Sequence, residues 1–207
     1  MIVWGRIEVM NLNDEIRLAG AEIEIIRDSG NLYTHMYYGH IGKMAGKYRS
    51  NPDDIHQAGY YLPTDSGVKS GDLIKSFDDY YIVASVVNIN IYGVIACYKG
   101  MLFRCNAEVS VYYYDSTAKK HDTLHKSGVR CLITQSRVGQ GWQDDKSFVM
   151  DYKGRSQPFS LYAQASSGIN KESKIVDSYG RIFRTSKEMD VFIIDGVIQT
   201  QILWVNS

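Results

Sequence analysis

The chain has 207 residues, of which 44% are hydrophobic and 22% are charged. This length supports one large domain or two small ones with a sizeable core, and the composition excludes a wholly disordered chain. Lysine and arginine together number 23, as do aspartate and glutamate, so the formal net charge is zero. Because a dedicated nucleic-acid binder usually carries an excess of basic residues, this balance argues against that class.

The first predicted elements are a short helix and a strand. Asn11 and Asn13 are candidate N-caps, and acidic residues follow them where the helix dipole favours negative charge. A short helix is therefore predicted over Asp14–Leu18. The next segment, Ala21–Ile25, alternates apolar and charged side chains, which is the period of a half-buried strand.

Residues 31–70 carry little periodicity, and glycine and proline recur along them. Loops of this length are uncommon in compact domains and usually serve binding or flexibility. Basic and aromatic side chains alternate in the middle, a pattern that suits contact with phosphate or with acidic groups of a neighbouring subunit. The zero net charge favours the second alternative. The residues of this predicted interaction loop are Tyr37, Tyr38, Lys43, Lys47, Tyr48 and Arg49.

From Gly71 to Tyr114 the chain is predicted to form antiparallel strands. Val83–Val87 and Ile89–Ala96 are apolar runs rich in β-branched residues. Lys99-Gly100 predicts a turn between two further strands. Residues 115–128 are polar and predict a loop that links two halves of the chain.

Two hairpins are predicted near the C-terminus. Asp177–Gly180 predicts one turn, and Asp195-Gly196, between two apolar runs, is the strongest short hairpin signal in the chain. The segment Lys174–Ile182, followed by an apolar run, is also a weak echo of the earlier segment Ser70–Val86.

These patterns predict a mainly β fold: a small β-barrel or sandwich of antiparallel hairpins, with a short N-terminal helix and a long inserted loop. We expect a single β-rich domain over residues 1–207. The alternative is two subdomains, 1–114 and 129–207, joined by the polar linker 115–128.

Sixteen tyrosines are an unusual number for this length, and many are adjacent in sequence. One interpretation is β-propensity, since tyrosine suits a half-buried pleated surface. The other is an interface, where tyrosine offers a large rigid contact with a polar end. The predicted interface aromatics are Tyr60, Tyr61, Tyr112, Tyr113 and Tyr114.

Catalytic and metal-binding patterns are weak in this sequence. His121 and His125 have the spacing of one helix face, but their polar context favours a solvated loop over a metal site. Cys105 lies in an apolar run, where a raised pKa makes a thiol inert. Gly139–Gly141 lacks the context of a phosphate loop. We expect no enzymatic activity, no catalytic residue, no metal and no cofactor.

The three cysteines (Cys97, Cys105 and Cys131) form no CxxC pair. Buried free thiols are therefore expected, as in a reducing cytoplasm. The N-terminal sequence does not resemble a signal peptide, and no apolar run approaches the length of a membrane span. We expect a protein that is neither secreted by a signal peptide nor embedded in a membrane.

Several phrases occur in an order that resembles the neck proteins of tailed bacteriophages, in particular small β-barrel head-closure (stopper) and head–tail connector proteins. They are the helix and strand of Asn13–Ile26, the long loop after it, residues 70–86 and 98–112, and the terminal hairpins from Lys174. Together they cover about half of the chain. The chain is longer than a minimal stopper, and residues 115–170 have no counterpart in the resemblance.

The resemblance implies a structural virion protein that closes the DNA-filled head and connects it to the tail. Its partners would be itself, as a six- or twelve-fold ring, together with portal or adaptor proteins and tail proteins. It would lie close to viral DNA without specific contact, and would be assembled in the host cytoplasm without a membrane. The alternatives are a tail-completion or other virion protein, and a β-sandwich module that binds carbohydrate or a receptor.

Overall fold

The computed structural model describes the following parts of the chain: residues 12–27, 35–43, 56–115, 117, 120–135, 158–185 and 191–205. The predictions for residues 1–10 and 139–157 lie outside these ranges. Within them the chain forms a helix, α1, at residues 12–19. It also forms thirteen strands: β1 Ala21–Ile26, β2 His35–Lys43, β3 Gln57–Leu62, β4 Leu73–Ser76, β5 Asp79–Ile91, β6 Val94–Arg104, β7 Ala107–Asp115, β8 Lys120–Gln135, β9 Pro158–Gln164, β10 Lys174–Asp177, β11 Ile182–Thr185, β12 Phe192–Ile194 and β13 Val197–Val205.

The chain divides into two compact units. One comprises Met1–Cys105 with Asp195–Val197, and the other comprises Asn106–Ile194 with Ile198–Ser207. The division at Cys105 differs from the linker predicted at residues 115–128. Of that segment, residue 115 ends strand β7 and residues 120–128 lie in strand β8, so these residues belong to paired strands and not to a connecting loop.

The first unit contains a closed six-stranded barrel in the order β1-β2-β3-β6-β5-β4, which the pairing of β4 with β1 completes. In β1, Ile23 and Ile25 are buried and alternate with Glu22 and Glu24, as the period-2 pattern predicted. The buried residues of the barrel core are Ile23, Ile25, Tyr60, Leu62, Val68, Ile74, Val83 and Leu102.

The second unit contains a seven-stranded sheet in the order β11-β10-β7-β8-β9-β13-β12. An additional pairing of β11 with β13 connects its two flanks, so six of these strands form a continuous circuit of pairings. Its largest buried core residue is Phe183, whose ring meets Phe159 edge-on at 5.8 Å between centroids.

The same connectivity occurs in both units. The first strand pairs with the second and the fourth, as β1 does with β2 and β4, and as β7 does with β8 and β10. The third strand pairs with the last long strand, as β3 does with β6 and β9 with β13. The fourth and fifth strands form a hairpin in each unit.

The sequence carries this repeat at a constant spacing over one segment. A 3₁₀ turn at Thr64–Ser66 recurs at Ala165–Ser167, and β4, which begins at residue 73, recurs as β10, which begins at residue 174. Both 3₁₀ turns end at a left-handed glycine, Gly67 (φ 54°) and Gly168 (φ 70°). The weak echo predicted between residues 70–86 and 174–182 is thus a structural repeat 101 positions apart (64 to 165).

The predicted fold class is confirmed, because the described chain is mainly β, with a short N-terminal helix and a small closed barrel. The predicted turn at Asp195-Gly196 is also confirmed, since both residues have positive φ (48° and 82°) between β12 and β13. The predicted long loop is corrected in part. Residues 31–70 include two barrel strands, β2 and β3, because short glycine-containing strands that pair on both sides need no sustained alternation.

The predicted turn at Lys99-Gly100 is wrong, because both residues lie inside β6. The chain instead turns at Tyr92-Gly93, where φ is 50° and 79°. Gly100 is required for a different reason. A Cβ at this position would collide with the carbonyl oxygen of Ser85 on the neighbouring strand, next to a register shift in β5.

Candidate interaction surfaces

An ion pair between the half-buried Arg27 and the buried Asp72 stabilises the corner of the first barrel before β4. The Arg27 guanidinium donates to Asp72 Oδ2 at 2.5 Å, to the Gly67 carbonyl at 2.9 Å and to the Ser66 carbonyl at 2.7 Å. The same Asp72 oxygen accepts the backbone N–H of Lys69 at 2.9 Å. Asp72 Oδ2 thus accepts from both the Arg27 side chain and the Lys69 backbone, and Arg27 in turn supports the carbonyls of the 3₁₀ turn.

The second unit stabilises the equivalent corner with neutral groups. Ser173 occupies the place of Asp72, and its Oγ accepts the backbone N–H of Asn170 at 2.9 Å. Tyr113 donates its hydroxyl to the Gly168 carbonyl at 2.5 Å, as Arg27 does to the equivalent glycine. Burial raises the pKa of Tyr113, which keeps this hydroxyl a donor. These two corners are structural supports.

The predicted interface aromatics divide into supporting and exposed residues. Tyr60 is 1% exposed and belongs to the barrel core, so its prediction as an interface residue is wrong. Its hydroxyl donates to the Ser85 carbonyl at 3.0 Å, and burial, with a smaller contribution from Asp72, raises its pKa. The next residue, Tyr61, points to the opposite face and is exposed, because side chains alternate along a strand.

The tyrosines of β7 follow the same alternation. Tyr112 is half-buried under the Lys174 ammonium, which lies 5.3 Å from the ring centroid. Tyr113 is half-buried and stacks on the His125 ring at 4.2 Å between centroids. Tyr114 is exposed. Tyr61 and Tyr114 are thus the predicted interface aromatics that present an exposed ring.

The predicted interaction loop is only partly within the described residues. Tyr37, Tyr38 and Lys43 lie in β2, a strand of the barrel, so the prediction of a loop is wrong for them. Lys47, Tyr48 and Arg49 lie outside the described residues. A deletion of residues 37–49 would remove most of a barrel strand, and a test of this loop therefore needs substitutions instead.

Histidine and cysteine residues have structural surroundings in the described chain. His125 lies in β8, a strand and not the expected loop, and its ring is engaged by Tyr113. Burial raises the pKa of the Cys97 thiol against the smaller opposite effect of Lys99. Cys131 is also buried, whereas Cys105 is half-buried just after β6. The described residues contain no group of three or more histidine, cysteine, aspartate or glutamate residues placed to hold a metal ion.

The β5–β6 hairpin extends past its neighbours in the barrel, and residues 84–97 of this hairpin form what we name the arm. The last pairing of β5 with β4 joins Ile82 to Leu73, and the last pairing of β6 with β3 joins Tyr98 to Leu62. Within the described chain, the two strands of the arm pair only with each other. The arm therefore presents two open strand edges among the described residues.

The arm exposes apolar side chains and has no charge. Tyr92, at its turn, is 78% exposed. The other exposed large apolar side chains of the arm are Val87, Val94 and Ile95. Between Asp79 and Lys99 the sequence has no charged residue. Proteins usually protect exposed strand edges with lysine, other charges or proline, so an uncharged apolar edge indicates a surface that a partner covers.

A second hairpin with little charge lies near the C-terminus, and its strands belong to the second unit except at Asp195–Val197, which belongs to the first. This terminal hairpin consists of β12 and β13, and β12 is the last strand of the sheet. All three residues of β12 are exposed, with Ile193 62% exposed. From residue 191 to residue 205 the only charged residue is Asp195, in the turn. Sequence reasoning predicted the terminal hairpin and the strands of the arm, but it misplaced the turn of the arm and missed both surfaces, whose signal was the absence of charge.

Comparisons with known proteins provide little further information. No family model matches this chain, and no curated protein matches it. Among solved structures, the chain is similar to K. pneumonia MrkH in its apo state at 10% identity, with 96% of this chain and 83% of that chain covered and a TM-score of 0.19. A likeness this weak carries no argument about fold or function. Within the described residues, no helix is long and apolar enough to cross a membrane.

Proposed function

We propose that this protein is a structural component of the neck of a tailed bacteriophage, where copies form a ring that closes the DNA-filled head and connects it to the tail. Two features support the proposal. The segment of the resemblance at residues 70–86 forms the corner and hairpin of a small closed barrel, the architecture that the resemblance implies. The surface of the same barrel carries the uncharged apolar arm.

The arm is the single observation that carries an assembly role. Burial of apolar surface contributes about 25 cal/mol per Å², so exposed apolar strands gain free energy when a partner covers them. Tyr92 and three further large apolar side chains are exposed to water on one hairpin, and monomeric proteins rarely expose apolar side chains that are grouped in this way. A protein that works within an assembly keeps such side chains for its neighbours.

The proposed partners follow from this role. The chain would associate with itself in a ring, six- or twelve-fold, and with portal or adaptor proteins on one side and tail proteins on the other. Its formal net charge of zero is compatible with DNA that passes without being held. The proposed location is the virion, after assembly in the host cytoplasm, with no enzymatic step.

Light scattering tests the proposal. The mass of the protein is determined alone and after it is mixed with emptied, tail-less heads of the cognate phage. A discrete ring, or a monomer recruited by the heads, supports the neck role. A monomer that remains indifferent to the heads contradicts it. Heads that already carry their tails are the control, because their neck surface is occupied.

A carbohydrate-binding module is the second candidate function. Exposed aromatic rings favour it, since flat ring faces pack against sugars, and Tyr92, Tyr114 and Tyr179 are all exposed in the described chain. A glycan array separates the two candidates. A neck protein is expected to retain no saccharide, whereas reproducible binding that is lost on substitution of these tyrosines favours the module.

A further inference from the structure

The arm and the terminal hairpin occupy the same place in the repeated connectivity. In the first unit the fifth and sixth strands of the barrel form the arm. In the second unit both β11 and β12 pair with β13. Both hairpins have a two-residue turn of the same conformation. Tyr92 and Gly93 have φ of 50° and 79°, and Asp195 and Gly196 have φ of 48° and 82°. One chain therefore carries two related hairpins.

The chemistry of the two hairpins restricts the partner that covers them. The whole chain has 46 charged residues, yet the arm has none and the terminal hairpin has one. A charged partner surface would lose its hydration against the arm and receive no opposite charge in return. The partner must therefore also present an uncharged apolar strip. Apart from Asp195 in its turn, the terminal hairpin is such a strip, and every copy of the chain carries one.

The strand edges restrict the geometry of the contact. The β5 edge of the arm is open beyond Val83, and β12 pairs on one side only, within the described residues. An edge that meets another edge gains backbone hydrogen bonds as well as apolar burial. The two hairpins differ in length and in side chains, so a contact between them is heterologous.

We propose that the arm of one copy of this chain docks on the terminal hairpin of the next copy, and that this head-to-tail contact joins the subunits of the assembly. The inference deepens the proposed function, because it names the surfaces that form the ring. A closed head-to-tail ring covers both uncharged strips in every copy, whereas an arm-to-arm dimer leaves the terminal hairpin of both copies exposed.

Charge substitutions on the full chain test the contact. Val94→Lys introduces a charge on the arm, and Ile193→Lys introduces one on the terminal hairpin. Because either lysine would be buried without a partner, each variant is expected to lower the association constant at least about 100-fold in sedimentation equilibrium. Phe77→Lys and Leu124→Lys are the controls. These side chains are 82% and 51% exposed and belong to neither the arm nor the terminal hairpin, so the substitutions should leave the constant within about 3-fold.

Mixing the two variants determines the direction of the contact. The Ile193→Lys chain keeps an intact arm, and the Val94→Lys chain keeps an intact terminal hairpin. A head-to-tail contact predicts that each variant alone is monomeric and that the mixture forms a one-to-one dimer that grows no further. Far-ultraviolet circular dichroism verifies that every variant keeps the β fold of the wild-type chain.

Three results would overturn the inference. They are a wild-type chain that stays monomeric up to about 1 mM, equal association of the arm variant and the controls, and an Ile193→Lys chain that still dimerises by itself. The experiment with phage heads is read separately. If association depends on both hairpins but the chain is not recruited to heads, the result supports the proposed contact and contradicts the neck role. If heads recruit all variants to the same extent as the wild type, the result supports the neck role and contradicts the proposed contact.

Discussion

Tyr60 and Tyr61 are adjacent and chemically identical, yet one belongs to the core and the other to the surface. The difference comes from the pleat of β3, which sends successive side chains to opposite faces. Tyr60 is accommodated inside because its partner on β6 is Gly100, which leaves room for the ring. The sequence predicts that the pair lies in a strand, but which of the two side chains points into the core depends on how β3 is placed in the barrel.

The buried hydroxyl of Tyr60 predicts a loss of stability at high pH. Its pKa in the folded chain is raised above the ordinary value of 10.0, mainly by burial. The unfolded chain therefore releases this proton first, and the stabilisation, present below about pH 10, is lost as the pH rises further. Tyr60→Phe is expected to reduce the steepness with which the free energy of unfolding falls between about pH 9.5 and 11.5, measured by urea denaturation.

Tyr60→Phe is also expected to lower the free energy of unfolding at neutral pH, which provides a second test of the assignment. The Ser85 carbonyl loses its hydroxyl donor, so Tyr60→Phe should destabilise the chain by about 1 kcal/mol at pH 7. Tyr61→Phe is the matched control, since this residue is exposed, and it should leave the stability at pH 7 unchanged. An alkaline slope equal in Tyr60→Phe and the wild type would contradict the assignment.

Arg27 and Tyr113 show equivalence that residue identity conceals. One is a cation and the other a phenol, yet each donates to the carbonyl of the left-handed glycine that ends a 3₁₀ turn. Each donor comes one residue after the position that pairs with the first residue of the fourth strand. Ile26, before Arg27, pairs with Leu73, and Tyr112, before Tyr113, pairs with Lys174. Sequence comparison misses this equivalence, because only the register of the sheet aligns the two donors.

At the scale of the element, β5 and β6 explain the misplaced turn. Lys99-Gly100 has turn-like composition, but its glycine serves the close approach of Ser85 within the sheet. The true turn at Tyr92-Gly93 places a tyrosine at positive φ, which propensity disfavours. The glycine at position 100 is required, but not for a turn. It is required because of a contact with Ser85, a residue 15 positions earlier (85 to 100).

Substitution of glycine distinguishes the two causes. Gly100→Ala should destabilise the first barrel by at least about 3 kcal/mol, since the added methyl group meets backbone that cannot move easily. Gly93→Ala has open space around it and should cost only about 1 kcal/mol, for its positive φ. Urea denaturation measures both. Equal losses in the two variants would show that backbone conformation, and not the close approach, decides.

The arm is the element that sequence reasoning failed to recognise as a surface. Its apolar runs, Val83–Val87 and Ile89–Ala96, predicted strands of a core, because apolar residues in strands are usually buried. The structure extends these strands beyond β4 and β3, so Val87, Tyr92, Val94 and Ile95 near the turn lose the neighbours that would bury them. Val83, Ala96 and Cys97, farther from the turn, remain buried. Burial depends on which strands lie alongside, and a single sequence does not contain that information.

At the scale of the whole molecule, two units with one connectivity have separate hydrophobic cores. Ile74 and Ile175 occupy equivalent buried positions in the fourth strand of each unit. Ile74→Ala and Ile175→Ala should each lower the stability of their own unit by about 2–5 kcal/mol through lost burial and a cavity. Hydrogen exchange measured by mass spectrometry should show faster exchange in the strands of the substituted unit.

The location of the faster exchange is the decisive observation in that experiment. Because the core positions match, each variant is the other's control for the size of the side chain removed. Faster exchange spread equally over both units in both variants would show that the chain unfolds as one cooperative unit. The repeat would then describe the connectivity of the fold and not the way in which its stability is distributed.

The sequence by itself determined the β class, the short helix, the strand at β1 and the hairpins at Asp177–Gly180 and Asp195-Gly196. These features depend on local alternation, capping and turn chemistry, which act between residues close in the chain. Only the tertiary structure decided the division at Cys105, the repeated connectivity, the burial of Tyr60 and the exposure of the arm. These features depend on pairings between strands that are distant in the chain, and the free energy of such pairings cannot be inferred from the local sequence pattern.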